Sequence, residues 1–333
     1  MTDARLRVLV VTGMYPAPDQ PARGSFVRAQ VEALRATGEV EVGVFAYQPS
    51  GHPWRYPVAA ARLLRTPADI DLVHAHFGLS GAVSMTAPRR LPLVMTVHGT
   101  DCHHPVTRRF TALAARRAAA VVAVSSELAA HCPCEVTEII PPGVDLGLFR
   151  PMPRTEARAA LGLSPERRLV VFPSDPARAE KRFALARALV DEVRHTGPPQ
   201  GAVESEGDRA QGAWLELRAL AGRPHDEVPL WLNAADAVVI PSEREGYGLA
   251  CVEALACDVP VLSTSVGIAP ELLAGVDGTL CAPFDLGVWA AHLRRLLTDP
   301  DPRVAGRGAV ESQGLEAVAR RLVALYREVL SRR

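Results

Sequence analysis

The sequence predicts an α/β protein with two doubly wound, parallel-sheet domains. At 333 residues the chain is long enough for two domains, each able to bury its own core. Short apolar, β-branched runs alternate with helix-length segments, and the runs are continuously apolar, which is typical of strands buried on both faces. A polar, proline-containing stretch at Arg150–Arg154 interrupts this alternation, which then resumes, so a domain boundary is expected near it.

The first half of the chain supplies the strands of one predicted sheet. A helix over Gly24–Gly38 follows the first strand, because Val27, Val31 and Leu34 recur at helical spacing. We expect the carboxyl ends of the strands at one edge of the sheet, where doubly wound folds bind ligands. The predicted strands are Leu6–Val11, Val40–Tyr47, Asp71–His76, Leu91–His98, Ala119–Ser125 and Val136–Pro141.

The second half repeats the pattern. Helices are predicted over Lys181–Val193 and, at the end of the chain, over Leu315–Val329. Gly197–Gly212 has neither an apolar period nor an aromatic residue, so it is predicted to be a surface loop. The predicted strands are Arg168–Phe172, Trp214–Leu217, Ala237–Pro241 and Val259–Thr264. The expected division is an N-terminal domain at 1–147, a C-terminal domain at 148–312 that shares a cleft with it, and a helical segment at 313–333 that packs back towards the first domain.

The composition excludes several classes of protein. The 37 basic and 37 acidic side chains give no net formal charge, which argues against a nucleic-acid partner because phosphate binding usually requires a basic excess. No apolar run approaches the roughly 20 residues of a membrane-spanning helix. The N-terminus leads straight into a strand-like run without a cleavable signal, so a cytoplasmic location is expected.

Six scattered cysteines are expected to be reduced thiols, since a chain of this length does not depend on disulfides. Two groups look like metal ligands, namely Cys102–His104 and His131–Cys134. Neither has the paired spacing of a structural zinc site. No metal is therefore expected.

The segment Ser242–Ala254 predicts the end of a strand, a glycine-rich turn and a helix that starts near Gly248. Backbone N–H groups and the helix dipole at such a start favour an anion such as a diphosphate. Glu245 precedes the turn and Glu253 lies in the helix, and carboxylates can accept two hydrogen bonds from a vicinal diol of a sugar. The same pattern also fits an ordinary strand, loop and helix with two surface glutamates.

Lys181 is the single lysine among the 37 basic residues. It could be a chance survivor in an arginine-rich composition. Alternatively, the position requires a compact ammonium group, as phosphate sites often do, and a planar guanidinium cannot replace it.

Together these residues resemble the retaining family 4 glycosyltransferases, whose GT-B architecture consists of two Rossmann-like domains facing a central cleft. The pair Glu245 and Glu253, in its Glu-Gly-Tyr-Gly-Leu setting, is similar to the two-glutamate motif of that family. Within the family, the chain resembles bacterial polysaccharide enzymes of the teichuronic-acid type. Other segments agree in order and spacing: Arg23–Val27, Thr96–Asp101, Pro142–Asp145 with Phe149, Glu180–Phe183, and Pro260–Leu262 with Gly267 and Glu271.

The resemblance implies a role for each matching residue. Lys181 would neutralise the donor diphosphate, Glu253 would hold the ribose diol, and Glu245 would meet the transferred sugar. His98 would lie beside the donor sugar and phosphate, and Gly24 would let the backbone approach that phosphate. The implied catalytic residues are His98, Lys181 and Glu245; the implied donor-binding residues are Gly24, Arg178, Arg182, Gly246, Tyr247, Gly248, Leu249 and Glu253; the candidate acceptor contacts are Arg23, His74, His76 and Asp101, with core roles equally open for the two histidines.

The implied reaction moves a sugar from a nucleotide-diphosphate sugar to a hydroxyl of a glycan, lipid-linked or small-molecule acceptor, with retention. A cation and helix-end amides can stabilise the leaving diphosphate electrostatically, so neither a metal nor another cofactor is expected. Two departures from the family stand out. First, Asp175 occupies a position where the family usually carries an arginine, and Arg178 or Arg182 could substitute for that arginine. Second, only one convincing strand is found between Lys181 and Glu245, where the family typically has two.

Three alternatives compete with this interpretation. A nucleotide-sugar 2-epimerase shares the two-domain shape, but it would require a carboxylate pair at the sugar that is not found beyond Glu245. A catalytically weak nucleotide-sugar binding protein is the second. A nicotinamide dehydrogenase is disfavoured, because no strand is followed by Gly-x-Gly-x-x-Gly.

Two basic segments, Trp54–Arg65 and Val106–Arg117, place arginines beside apolar residues at near-helical spacing. Such helices can rest on anionic lipid, although a basic helix is more often a solvated face. Peripheral contact with a membrane is therefore an open expectation.

Overall fold

The structure, a computed structural model, describes residues 5–18, 20, 23–49, 51–198 and 214–332. These residues form two compact units. One contains the chain up to Gly143 together with the residues from Gln313 on, and the other is Val144–Ser312. The boundary thus falls after Gly143, where the sequence predicts it after residue 147. The loop predicted at Gly197–Gly212 lies outside the described residues, apart from Gly197 and Pro198.

The first unit contains a parallel sheet in which the described strands follow the order β2-β1-β3-β4-β5-β6. These strands are β1 (Leu6–Thr12), β2 (Val40–Ala46), β3 (Leu72–His76), β4 (Leu93–Val97), β5 (Ala120–Ala123) and β6 (Glu138–Ile139). The helices are α1 (Ser25–Ala36), α2 (Arg55–Leu63), α3 (Gly78–Ser84), α4 (Thr100–His103), α5 (Pro105–Ala115), α6 (Ser126–His131) and, at the end of the chain, α14 (Leu315–Ser331).

Helices cover both faces of this sheet. Val8 and Val10 of β1 point to one face, where they share a core with residues of α1 and with Leu322 and Tyr326 of α14. Val11 of the same strand points to the other face, against residues of α2 and α3. Burial on both faces explains why the strands are continuously apolar rather than alternating.

The second unit contains a parallel sheet of described strands in the order β11-β10-β9-β7-β8. These strands are β7 (Arg168–Phe172), β8 (Leu215–Ala219), β9 (Ala237–Ile240), β10 (Val261–Ser263) and β11 (Leu280–Cys281). The helices are α7 (Arg154–Leu161), α8 (Phe183–His195), α9 (Val228–Ala234), α10 (Leu249–Ala256), α11 (Ala269–Leu273), α12 (Leu286–Leu296) and α13 (Arg307–Val310).

Two strands, β8 and β9, lie between Lys181 and Glu245, and both overlap predicted strands, so the expectation of only one convincing strand there is wrong. β8 lies at the edge of its sheet and is only partly buried beyond Leu215. An edge strand can carry charged residues such as Glu216 and Arg218, and these weaken its apolar signal.

Each sheet has one point at which the strand order reverses. In the first sheet it lies between β1 and β3, and in the second between β7 and β9. In doubly wound sheets the loops that follow the carboxyl ends at this point line the ligand crevice. The loop after β1 contains Gly24, and the loop after β3 begins at Phe77; the loops after β7 and β9 contain Lys181 and Glu245.

The opposite, amino-terminal edge of the second sheet is fixed by one buried carboxylate. Asp236, which precedes β9, is fully buried. Its carboxylate oxygens lie 3.0 Å, 2.8 Å and 3.1 Å from guanidinium nitrogens of Arg154, Arg158 and Arg168, respectively. Its Oδ2 atom also accepts the N–H of Leu169 at 2.6 Å. The cluster therefore fastens α7 to the starts of β7 and β9.

Candidate functional site

The second unit places Lys181 and Glu245 in contact at the point where its strand order reverses. The Lys181 Nζ atom lies 2.6 Å from both carboxylate oxygens of Glu245, and each side chain is about one-tenth exposed. Ser242 Oγ donates a further hydrogen bond to Glu245 Oε1 at 2.8 Å. The backbone of Glu243 donates to the Glu180 carbonyl at 2.8 Å, so the loop after β7 is joined to the loop after β9.

The turn after Glu245 leads directly into α10. Gly248 adopts φ +92°, a conformation that favours glycine, and it caps the start of the helix. The turn is fixed from the loop after β10. Ile268 donates its N–H to the Tyr247 carbonyl at 2.7 Å, and a Cβ atom on Gly267 would lie 2.3 Å from that carbonyl oxygen. Leu249 follows Gly248 as the first residue of α10, where helix amides favour an anion.

Glu253 is buried in α10 and has a partner that sequence reasoning missed. His225, in the loop after β8, places its Nε2 atom 3.1 Å from Glu253 Oε1. The ring of His225 also packs edge-on against Phe149, with ring centroids 5.2 Å apart. No motif signals His225 in the sequence, because its contact depends on the fold of the second sheet.

The two arginines proposed to replace the missing family arginine differ in their surroundings. The Arg178 guanidinium is exposed and donates to Glu180 Oε1 through Nε at 2.9 Å and through Nη2 at 2.6 Å. Arg182 adopts φ +55° at the start of α8. Asp175 has a structural role, since its Oδ1 atom accepts the N–H of Ala177 at 2.9 Å in a tight turn.

The first unit brings His76 and His98 together at the carboxyl ends of β3 and β4. His76 Nδ1 and His98 Nε2 lie 3.0 Å apart, and the two rings stack with centroids 5.3 Å apart. Burial lowers the pKa of His76 to about 3. Burial, followed by the charge of His76, lowers the pKa of His98 well below its usual range. Both rings are therefore neutral at pH 7, so one donates and the other accepts, and His98 can act as a hydrogen-bonding group but not as a cation.

Phe77, another residue that sequence reasoning missed, positions the His98 ring. It has φ +76° at a non-glycine position, which is strained backbone, and its ring centroid lies 4.6 Å from that of His98. Phe26 of α1 packs against the same imidazole, with centroids 5.1 Å apart.

Two of the candidate acceptor contacts are interior residues. His74 is fully buried, and its ring nitrogens lie 2.7 Å from Tyr326 Oη and 2.8 Å from Thr96 Oγ1, so it is a core residue that an acceptor could not reach. Asp101 is also buried, and its oxygens accept the N–H groups of His98 at 2.7 Å and Gly78 at 2.9 Å. Asp101 therefore positions the His98 segment, and an acceptor contact is not compatible with this burial.

Gly24 is required by the packing of its own loop. It has φ +71° as the cap of α1, and a Cβ atom there would lie 2.5 Å from the Met14 carbonyl oxygen. Arg23 precedes it and donates to Gln20 Oε1 at 3.0 Å. His76 is almost fully buried beneath His98, so it too is a positioning residue. The contacts of these residues with a donor or an acceptor stay predictions.

Comparison with known proteins agrees with this architecture. Residues 1–148 match the family model described as Glycosyltransferase Family 4, and residues 209–308 match Glycosyl transferases group 1. D-inositol 3-phosphate glycosyltransferase 1 of Catenulispora acidiphila is 31% identical, over 92% of this chain and 86% of its own.

Two solved structures confirm the fold. Sucrose-phosphate synthase from Thermosynechococcus elongatus matches with a TM-score of 0.78 at 20% identity, over 99% of this chain and 100% of that one. Anabaena HepE in complex with UDP and glucose matches with a TM-score of 0.71 at 19% identity, over 97% of this chain and 100% of that one. The predicted GT-B fold of two Rossmann-like domains is confirmed, and the chain belongs to the group 1/family 4 glycosyltransferases.

Proposed function

We propose that this glycosyltransferase moves a sugar from a nucleoside diphosphate sugar to a hydroxyl acceptor, with retention and without a metal. The observation that carries the proposal is the contact of Lys181 with Glu245 where the strand order of the second sheet reverses. The structurally similar Anabaena HepE was solved in complex with UDP and glucose, which makes a uridine diphosphate sugar the first donor to test.

Lys181 supplies the positive charge for the leaving diphosphate. Its ammonium is buried and compact, and the start of α10 at Leu249 adds helix amides nearby in the same unit. A pre-placed cation and helix dipole stabilise charge that develops as the sugar–phosphate bond breaks. These groups can therefore serve the leaving group without Lewis-acid help.

Glu253 and Glu245 have different tasks in this reaction. Glu253, oriented by His225, would accept hydrogen bonds from the ribose diol. Glu245 is held by Lys181 and Ser242 and would meet hydroxyls of the transferred sugar. Retention follows if the departing phosphate oxygen takes the acceptor proton on the face that it leaves, so that no enzyme nucleophile is needed.

Three measurements test the reaction. Thermal-shift screening should show stabilisation by UDP and by a UDP-sugar, and UDP release should require an added acceptor. NMR of the product should show the anomeric configuration of the donor. Activity should survive treatment with EDTA. An inverted product overturns retention, and loss of activity that divalent ions restore overturns metal independence.

The acceptor is proposed to be a small polyol phosphate. The support is the Catenulispora relative, whose name specifies D-inositol 3-phosphate. A precursor of a teichuronic-acid-type polysaccharide is the alternative. Supplying D-inositol 3-phosphate and a lipid-linked glycan in parallel assays decides between them. The epimerase and the binding protein are not favoured, since the matched relative is named as a transferase.

A location at the inner face of a membrane is proposed for the first unit. Among the described residues, no helix is both long and apolar enough to cross a membrane. On α5, however, Val106, Phe110 and Leu113 are 55%, 41% and 43% exposed and lie along one stripe, next to the exposed Arg109 and Arg116. The protein should float with vesicles containing phosphatidylglycerol and not with pure phosphatidylcholine; the double variant Phe110→Ser, Leu113→Ser should lose flotation. Wild-type protein that fails to float with anionic vesicles would refute this location.

A further inference from the structure

The fold of the first unit gathers three thiols that are apart in the sequence. Cys102 lies in α4, whereas Cys132 and Cys134 follow α6. The sulfur atoms of Cys132 and Cys134 lie 3.4 Å apart, and the Cys102 thiol is near enough to the Cys132 thiol to shift its pKa. Cys132 is therefore the central member of the cluster.

One arginine joins the two segments that carry these thiols. Arg108 Nη1 donates to the Cys102 carbonyl at 2.9 Å and to the His131 carbonyl at 2.5 Å. Cys102 is buried, whereas Cys132 is partly exposed. A small reagent can therefore reach Cys132, while the Cys102 thiol is shielded from solvent.

The cluster does not have the geometry of a metal centre. In a tetrahedral zinc site with bonds of about 2.3 Å, thiolate sulfurs lie about 3.8 Å apart, which is wider than the separation of Cys132 and Cys134. In the described part of the chain, no group of three or more His, Cys, Asp or Glu side chains is placed to hold a metal ion. The contacts favour thiol chemistry instead.

The surroundings favour the thiolate at Cys132. Hydrogen bonds from Cys102 and Cys134 lower the pKa of Cys132, and Arg108 adds to this against an opposing effect of burial. The reactive form of cysteine is the thiolate, and reactive cysteines combine a lowered pKa with access to solvent.

We propose that Cys132 is a site of oxidation by hydroperoxides and that Cys102 resolves the oxidised sulfur to a Cys102–Cys132 disulfide. The Cys132 thiolate attacks the hydroperoxide: an S–O bond forms, the O–O bond breaks, and the departing oxygen takes a proton to give an alcohol, or water from hydrogen peroxide. The Cys102 thiol then gives up its proton as its sulfur attacks the Cys132 sulfur; an S–S bond forms, the S–O bond breaks, and the departing hydroxide takes that proton to leave as water. Two thiols lose two electrons in total, and one hydroperoxide gains them.

Cys102 is the resolving thiol because of where it lies in the chain. Cys132 and Cys134 are separated only by Pro133, whose ring fixes φ, so a disulfide between them would close a small, strained ring. Cys102 approaches from a different helix and carries no such constraint.

The disulfide also acts on the histidine segment. Asp101, the neighbour of Cys102 in α4, accepts the N–H groups of His98 and Gly78. A covalent bond between Cys102 and Cys132 pulls α4 towards the segment after α6 and displaces the Asp101 carboxylate. Oxidation therefore slows sugar transfer, and reduction restores it.

The test begins with the wild-type full chain and hydrogen peroxide. After the remaining thiols are blocked with a maleimide, the intact mass should show two fewer maleimide adducts than the reduced chain treated in the same way, and peptide mapping should identify Cys102 joined to Cys132. Cys132→Ser should abolish the bond, Cys134→Ser should keep it, and Cys281→Ser, which removes a partly exposed thiol of the second unit, serves as the control.

A Cys132–Cys134 bond in the map, an unoxidised Cys132, or stoichiometric zinc that protects all three thiols would overturn the proposal. The mass map is independent of the donor chemistry proposed above. Only the activity arm depends on that chemistry: wild type and Cys281→Ser should lose activity several-fold on oxidation and regain it with a reductant, whereas Cys132→Ser should not respond. If unoxidised wild type has no transferase activity, the proposed function fails and the disulfide map still decides this proposal.

Discussion

At the scale of single residues, the candidate donor site depends on a charge balance. Lys181 and Glu245 neutralise each other at 2.6 Å, and both are largely buried. Removing one partner leaves the other as an uncompensated buried charge, which costs more than removing both. This asymmetry separates a ligand-binding role for the lysine from a purely structural one.

Lys181→Met should weaken UDP binding by about 1.5–3 kcal/mol, because a charged hydrogen bond to the diphosphate is lost and the Glu245 carboxylate then repels the ligand. The double variant Lys181→Met, Glu245→Gln should recover stability but not UDP affinity. Calorimetry of UDP binding and urea unfolding of both variants measure this, with Arg187→Ala, at an exposed position of α8, as the control. Full recovery of UDP affinity in the double variant would contradict a phosphate-binding lysine.

His98 should contribute as a neutral group. Burial, followed by the charge of His76, holds the pKa of His98 well below its usual range, so the imidazole is expected to act in its neutral form. The ratio of kcat/KM between wild type and His98→Asn should then be constant from pH 6 to pH 8. A ratio that changes several-fold around pH 6.5 would show that the imidazolium takes part.

At the scale of secondary-structure elements, loops are fixed to one another by close backbone contacts. Gly267 and the Tyr247 carbonyl define the turn before α10, while Asp236 fastens α7 to β7 and β9 at the other edge of the sheet. The first contact shapes the site and the second supports the sheet that carries it.

Gly267→Ala should move the turn, since its Cβ would lie 2.3 Å from the Tyr247 oxygen and its φ of +58° costs a non-glycine residue about 1–2 kcal/mol. UDP affinity should fall several-fold, as measured by calorimetry. Gly275→Ala is the matched control, because no atom lies within 4 Å of a Cβ there. Equal affinities in the two variants would show that the turn does not bind the donor.

Asp236→Asn should destabilise the protein by about 3–5 kcal/mol, because buried arginines lose their counter-charge. The exposed pair of Asp191 with Arg194 gives the comparison, and Asp191→Asn should cost no more than about 1 kcal/mol. Urea unfolding followed by circular dichroism measures both. A small loss of unfolding free energy in Asp236→Asn would mean that backbone carbonyls alone are enough to stabilise the buried arginines.

At the scale of the whole molecule, the buried histidines of the first unit make stability depend on pH. Burial lowers the pKa values of His74, His76 and His98 in the folded state. The unfolded chain takes up protons on these rings near pH 6.5, and the folded chain does not. Their contribution to stability is therefore complete above about pH 6.5 and is lost progressively as the pH falls towards the folded-state pKa values.

Each such histidine should add a slope of about 1.4 kcal/mol per pH unit to the unfolding free energy below pH 6.5. His76→Gln should reduce the slope by about 1.4 kcal/mol per pH unit, since the folded-state pKa of His76 is about 3. Urea unfolding at pH 7.5, 6.0 and 5.0 measures the slope. His52→Gln, at an exposed position of the same unit, serves as the control variant. An unchanged slope in His76→Gln would contradict the burial argument.

The sequence by itself determined the two α/β halves, most of the strands and the residues around Lys181, Glu245 and Glu253. Buried parallel strands are continuously apolar, and a glycine-rich turn before a helix leaves a local signature, so neither depends on distant contacts. The edge strand β8 overlaps the predicted strand Trp214–Leu217 but extends beyond it to Ala219, where the charged residues of an exposed edge weaken the apolar pattern.

Only the tertiary structure decided which side chains meet. His76 meets His98, Glu253 meets His225 and Cys102 meets Cys132, and the two members of each pair come from different strands, helices or loops. The tertiary structure also buries His74 and Asp101, which argues against both residues as acceptor contacts. The physical reason is that register and sheet order set these distances, and hydrophobic periodicity, which is local, carries no information about either.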